Sequence, residues 1–155
     1  MGEALRDVHR SLLGSGASSD SASPGAEEVL VQGSYEYCHY GQQGCGDHGW
    51  GCAYRSCQTV VSWLKLGGAG CQHVESVPTI PAMQAALVAA GDKPASFQGG
   101  RAWVGSVEVA LLLDALFGVS SRILTLRAKN TGGGLAGALD GEAAAQLAAH
   151  FRGGG

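Results

Sequence analysis

The side chains with the most chemistry in this chain crowd into one stretch: Cys38, His39, Cys45, His48, Cys52 and Cys57. One of them is set apart by its surroundings. In Gly49-Trp50-Gly51-Cys52-Ala53-Tyr54-Arg55-Ser56 a thiol stands where glycine-rich chain gives way to residues of helical spacing. The first N–H groups of a helix have no carbonyl one turn back, and the dipole there is positive; both favour a thiolate. The same N–H groups can hold a developing oxyanion. The position therefore makes Cys52 a candidate nucleophile. Gly49 and Gly51, on either side of Trp50, let backbone approach an extended substrate tail closely. Against this stands the plainer role of a helical cysteine, a small core residue. That role fits Cys57, which is five residues further on and rotated to another face. Cys71 follows Gly70 in a loop and is read as incidental.

The same crowd of cysteines and histidines could instead ligate zinc. Structural zinc sites pair their ligands with two to four residues between them. Here the gaps between successive cysteines from Cys38 to Cys57 are six, six and four residues, and no CxxC occurs in the chain. No metal or other cofactor is expected.

The elements that must position Cys52 follow from glycine and apolar spacing. Gly41, Gly44, Gly46, Gly49 and Gly51 make residues 34 to 51 a shaped loop, since each would weaken a helix. From Cys52 to Leu66 the positions Ala53, Cys57, Val60, Val61 and Leu64 repeat at three and four, which predicts a buried helix ending at Gly67-Gly68. A second helix is expected from Ile80 to Ala90, with Thr79 as N-cap, Pro81 in the first turn and Gly91 as the stop. A third follows Gly105, with Ser106 as N-cap and Glu108 in its first turn, and stops at Gly118. Arg122 to Arg127 alternates and reads as a strand, and Val29 to Val31 as a short one. Glu142 to Phe151 reads as a helix with Asp140 as N-cap. Residues 1–33 have the composition of a disordered N-terminal tail, and 34–155 form the domain, with a Gly/Ala-rich insertion at about 130–141.

Composition narrows the partners. The chain has 155 residues, 45% of them hydrophobic, room for one domain with a core. Thirteen acids against ten Lys and Arg give a net charge of −3, which leaves no basic field for nucleic acid. Apolar runs such as Ala85 to Ala90 and Val109 to Leu113 are far short of the roughly 20 residues of a membrane span. The N-terminus has no apolar centre of a secretory signal, so a cytoplasmic setting and reduced thiols are expected.

Several blocks together resemble a known family, the cysteine proteases specific for the ubiquitin-fold modifier. They are Tyr37 with His39-Tyr40-Gly41, Asp47, Gly49 to Ser56, Gln58-Thr59 and Ser62-Trp63, then Val77-Pro78, Gln84, Ala86-Leu87, Gly91-Asp92-Lys93-Pro94, Phe97, Arg101 and Trp103 to Glu108. The likeness spans about residues 35 to 127. It implies a papain-like α/β fold, here only the N-terminal helical part with one or two strands. It also implies Cys52 as nucleophile and Tyr40 as the hydroxyl that joins the Cys52 N–H in the oxyanion hole. Trp50, Gly51 and Trp103 become candidate walls of a channel for the modifier's C-terminal glycine. Arg55, Asp92 and Arg101 are read as structural pairing residues. The implied substrates are the modifier precursor and its conjugates, cleaved by thiol acyl transfer.

The family's catalytic Asp and His lie in an Asp-Pro-His block, and no such block occurs in these 155 residues. His150, in Ala-rich helical sequence, is not read as the base. A thiolate alone can take an electrophile, but cleavage also needs a proton for the leaving amine. The expectation is therefore a truncated or degenerate relative of weak or no turnover. The competing readings are an autophagy-type cysteine peptidase, which shares a Gly-Trp-Gly-Cys block, and a non-catalytic module that binds a ubiquitin-like tail.

Overall fold

A computed structural model of the chain describes residues 5–14, 29–67, 74–125 and 141–154. In chain order the elements are β1 (Leu5–Arg6), α1 (Val8–Gly14), β2 (Glu36–Tyr37), α2 (Cys52–Lys65), α3 (Ile80–Ala89), α4 (Ser106–Phe117) and α5 (Gly141–Arg152). The protein is mostly helical, with one two-stranded antiparallel sheet in which Leu5 pairs with Tyr37 and Arg6 with Glu36.

The core lies where α2, α3 and α4 meet. Tyr54, Cys57, Val61 and Leu64 of α2 are buried, at the three-and-four spacing the sequence shows. They pack with Ile80, Met83 and Leu87 of α3 and with Leu112 and Leu113 of α4. Each buried side chain of this size contributes roughly 1.5–3 kcal/mol by leaving water. Val60, expected on the same apolar face as Val61, is 40% exposed.

The helix ends follow local chemistry. Thr79 caps α3 as expected, its hydroxyl accepting from Ala82 N–H at 3.3 Å. The cap of α4 is Gly105 rather than Ser106, which is already helical. Glu108 supplies the missing acceptor by taking the Gly105 N–H at 2.8 Å, half of a capping box. Gly118 stops α4 at φ +63°, where its N–H reaches Asp114 O and Val119 N–H reaches Leu113 O.

Among the described residues, neither strand expected from local pattern forms. Residues 29–31 make no ladder, and the chain just after them is tied by side chains instead: Trp63 Nε1 donates to Gln32 O at 2.6 Å and Arg10 to Gly33 O at 2.8 Å. Residues 120–125 have no strand beside them among the described residues, and residues 126 and 127 lie outside those described. A pattern of alternation becomes a strand only where a neighbour completes its hydrogen bonds. The strand that does form nearby, β2, is fixed to α2 by Ser62, whose hydroxyl accepts from Glu36 N–H and donates to Glu36 O, both at 2.9 Å. Leu5–Arg6 and Val8–Gly14, in a segment of tail-like composition, pair with β2 and with the chain before it. Asp140 and Cys71 lie outside the described residues.

Candidate active site

Cys52 is the first residue of α2 and is exposed, whereas Cys57 one turn on is buried in the core. The first backbone bond of this helix runs from Arg55 N–H to Gly51 O at 3.0 Å, so the N–H groups ahead of it have no carbonyl one turn back. Cys52, Tyr37, Cys38, His39, Tyr40, Arg55, Ser56, Thr59 and Val60 line an open groove of about 460 Å³. The structure thus brings Cys52 and Tyr40 into one groove. Partial desolvation, followed by the charge and hydrogen bond of Cys52, pushes the Tyr40 phenol above its ordinary value. A phenol that holds its proton is a donor at neutral pH.

The loop between Tyr40 and Cys52 is held together by Asp47. Asp47 is fully buried, and its carboxylate is shared out: Oδ1 accepts the Gly41 N–H at 2.7 Å, and Oδ2 accepts Arg55 Nε at 2.7 Å. The Asp47 backbone carbonyl takes the N–H groups of Trp50 and Gly51 at 3.2 and 2.8 Å, which turns the chain into α2. Arg55 completes the clamp with Nη2 on Gln42 O and Nη1 on Gln58 Oε1, both at 2.9 Å. Gln58 in turn donates to Pro78 O at 2.8 Å. Burial raises the Asp47 carboxyl, but the Arg55 and Gly41 hydrogen bonds outweigh it and hold the acid below its usual value. The pairing role read for Arg55 is seen here; Asp92 pairs with the adjacent Lys93 at 2.9 Å, and Arg101 is exposed. The sequence alone gave no role to Asp47. Its signal was a single carboxylate in a glycine-rich loop, a few residues from an arginine on a buried helix face.

The other candidates are placed differently. Trp50 meets Tyr54 edge-on at 5.9 Å between ring centres and donates Nε1 to Gly46 O at 3.3 Å. Trp103 is 69% exposed, next to Ala102, whose carbonyl accepts the Tyr54 hydroxyl at 3.3 Å. Gly51 is buried beneath the entry to α2, and none of the three is among the residues that line the groove with Cys52. Two histidines flank it: His39 Nδ1 lies 2.8 Å from Tyr40 O, and His48 stacks on the Tyr40 ring at 5.4 Å. Cys38 is half-buried under Thr59, and burial raises its thiol; burial pushes Cys57 up to about 11. Among the described residues no three His, Cys, Asp or Glu side chains come together as a metal site.

Comparison with known proteins places the chain in a family. The model of Peptidase family C78 matches residues 26–154. The chain belongs to peptidase family C78. The family match decides against the autophagy-type alternative. Ufm1-specific protease 2 of Gallus gallus is 54% identical over 106 residues, 66% of this chain and 22% of that protein. Ufm1-specific protease 1 of Mus musculus is 41% identical over 124 residues, 80% of this chain and 52% of that protein. Among solved structures, UfSP from C. elegans superposes with a TM-score of 0.65 at 33% identity, over 96% of this chain and 23% of that one. The chain is a homologue of the Ufm1-specific cysteine proteases and spans a fifth to a half of the length of these relatives.

Proposed function

We propose that this chain carries the nucleophile and oxyanion side of a papain-like thiol peptidase that acts after the C-terminal glycine of Ufm1, in the precursor and in conjugates. The observation that carries the reading is the pair in one groove: Cys52 exposed at the first position of α2, with Tyr40 lining the same groove. Cys52 Sγ attacks the glycine carbonyl, and the carbonyl oxygen becomes an oxyanion held by the Tyr40 hydroxyl and the Cys52 N–H. The thioester forms as the amine leaves with a proton, and water then releases the acid. A donor placed in advance of the charge is worth about 3 kcal/mol of barrier. By the family resemblance Trp50, Gly51 and Trp103 are proposed to guide the incoming tail, the largely exposed Trp103 from outside the groove that Cys52 lines.

Proton supply limits turnover. The 155 residues hold no Asp-Pro-His block, and His39 Nδ1 is taken up by the Tyr40 carbonyl. Binding and thiol capture therefore exceed hydrolysis for these residues taken alone. No helix among the described residues is long and apolar enough to cross a membrane, and Cys38, Cys45, Cys52 and Cys57 are free thiols. Free thiols support the cytoplasmic setting that belongs to this proposal. The test is to mix the chain with Ufm1 bearing a C-terminal vinyl electrophile, follow the mass of the adduct, and measure hydrolysis of a fluorogenic Ufm1 conjugate in parallel. An adduct lost in Cys52→Ser with hydrolysis near background is expected. No adduct in a chain shown to be folded overturns the reading.

A further inference from the structure

Asp47 has both carboxylate oxygens committed, and they reach to opposite ends of the catalytic pair. One holds the N–H of Gly41, the residue after Tyr40; the other holds Arg55, three residues after Cys52 on the same helix. Arg55 also grips Gln42 O, so the chain on the far side of Tyr40's neighbour is fixed to α2 a second time. Both charged side chains are at most 4% exposed. A buried ion pair is weak evidence for stability by itself, and here its hydrogen bonds to Gly41 N–H and Gln42 O fix the course of the loop. The other side-chain ties from this segment meet α2 one turn further on: Gln58 Nε2 donates to Gln43 Oε1 at 3.2 Å, and Thr59 Oγ1 accepts the Cys38 N–H at 3.0 Å.

We propose that the Asp47–Arg55 ion pair is a positioning device that sets the Tyr40 hydroxyl over the carbonyl attacked by Cys52. Asp47 touches neither substrate nor reacting atoms; it acts through Tyr40. The proposal rests on the oxyanion role given to Tyr40 above. It says that the strength of that role is governed from residues 47 and 55.

A glycine aldehyde isolates the effect, because its capture needs no leaving group. The Cys52 sulfur bonds to the aldehyde carbon, the carbonyl electron pair moves to oxygen, and that oxygen takes up the thiol proton, giving a hemithioacetal. Ufm1 ending in glycinal is compared with Ufm1 ending in glycinol, which binds without a covalent bond. A short peptide aldehyde and alcohol serve as a second matched pair. For each, the ratio of the two affinities is measured in wild type, Tyr40→Phe, Asp47→Asn and the double variant, with circular dichroism to report folding. Tyr40→Phe is expected to lower the ratio on the order of 10²-fold, Asp47→Asn by at least tenfold, and the double variant no further than Tyr40→Phe alone. Glycinol affinity is expected to stay within about twofold in all of them. Arg55→Lys keeps a cation beside Asp47 but loses the fork to Gln42 and Gln58. It provides the same cycle, with a smaller loss, should Asp47→Asn not fold. Losses that add in the double variant, or glycinol affinity that falls along with glycinal, would overturn the proposal. If the peptide pair shows the cycle while the Ufm1 pair binds no better than the peptide, the positioning stands and the Ufm1 reading falls.

Discussion

Gly51 has no room for a side chain, and the reason is Asp47. A Cβ on Gly51 would come within 2.6 Å of the Asp47 Cβ and overlap its carboxylate. Gly51→Ala should therefore displace the loop at a cost of about 2 kcal/mol, measured by urea melt, and slow capture of a Ufm1 electrophile by more than the loss of folded fraction explains. Gly49→Ala sits at φ +84° with open space around it, so it pays only backbone strain, on the order of 1 kcal/mol. The comparison separates crowding from conformation. At this scale Cys52 was legible, because a loop rich in glycine ending at a helical repeat locates one thiol at one N-terminus. Tyr40 was legible only through the family resemblance, since nothing in a lone loop aromatic says where its hydroxyl points. Asp47 and Arg55 were visible as charges, but their joint hold on the Tyr40 turn depends on a fold-back that spacing does not encode.

Helices α2, α3 and α4 were read to within a residue or two because glycine stops and apolar repeats are local signals. The Ser106 cap was misplaced because Glu108 caps Gly105 through its side chain, and a glycine can stand at the cap when the acid reaches back. That acid also ties α4 to the end of α3 through Lys93 Nζ at 2.7 Å. The Lys93 hydrogen bond first, then the Gly105 N–H, hold Glu108 at about 2, against 4.5 ordinarily. Its folded value lies below its unfolded one, so its contribution to stability is complete above about pH 5 and is lost as pH falls through 4.5 towards 2. Urea melts at pH 5 and pH 3 should show wild type losing more stability over this window than Lys93→Met. Equal losses would mean that the ion pair does not couple the helices. Thr79→Ala should cost about 1 kcal/mol by the same assay, since it removes the acceptor for the Ala82 N–H.

Contacts between distant parts of the chain were the least legible. Gln32 Nε2 donates to the carbonyls of Phe151 and Arg152, both at 3.0 Å, which pins the end of α5 to the chain ahead of β2. Between α5, α2 and residues 119–124 lies a groove of about 990 Å³ lined by Trp63, Leu113, Leu124 and Leu147 among others. No local repeat predicts a hydrogen bond across some 119 positions. Gln32→Ala is expected to speed amide hydrogen exchange in α5 severalfold while leaving α3 unchanged. The proposed function belongs to this scale as well, because it requires a surface that selects Ufm1 over other modifiers. The most direct measurement uses Ufm1, ubiquitin and an autophagy-type modifier, each with the same C-terminal electrophile on its terminal glycine, and maps the adduct by peptide mass. The account predicts an adduct with Ufm1 at Cys52 at least tenfold faster than with the other two, and none in Cys52→Ser. Equal labelling by all three, or labelling of Cys38 or Cys45 instead, would contradict it.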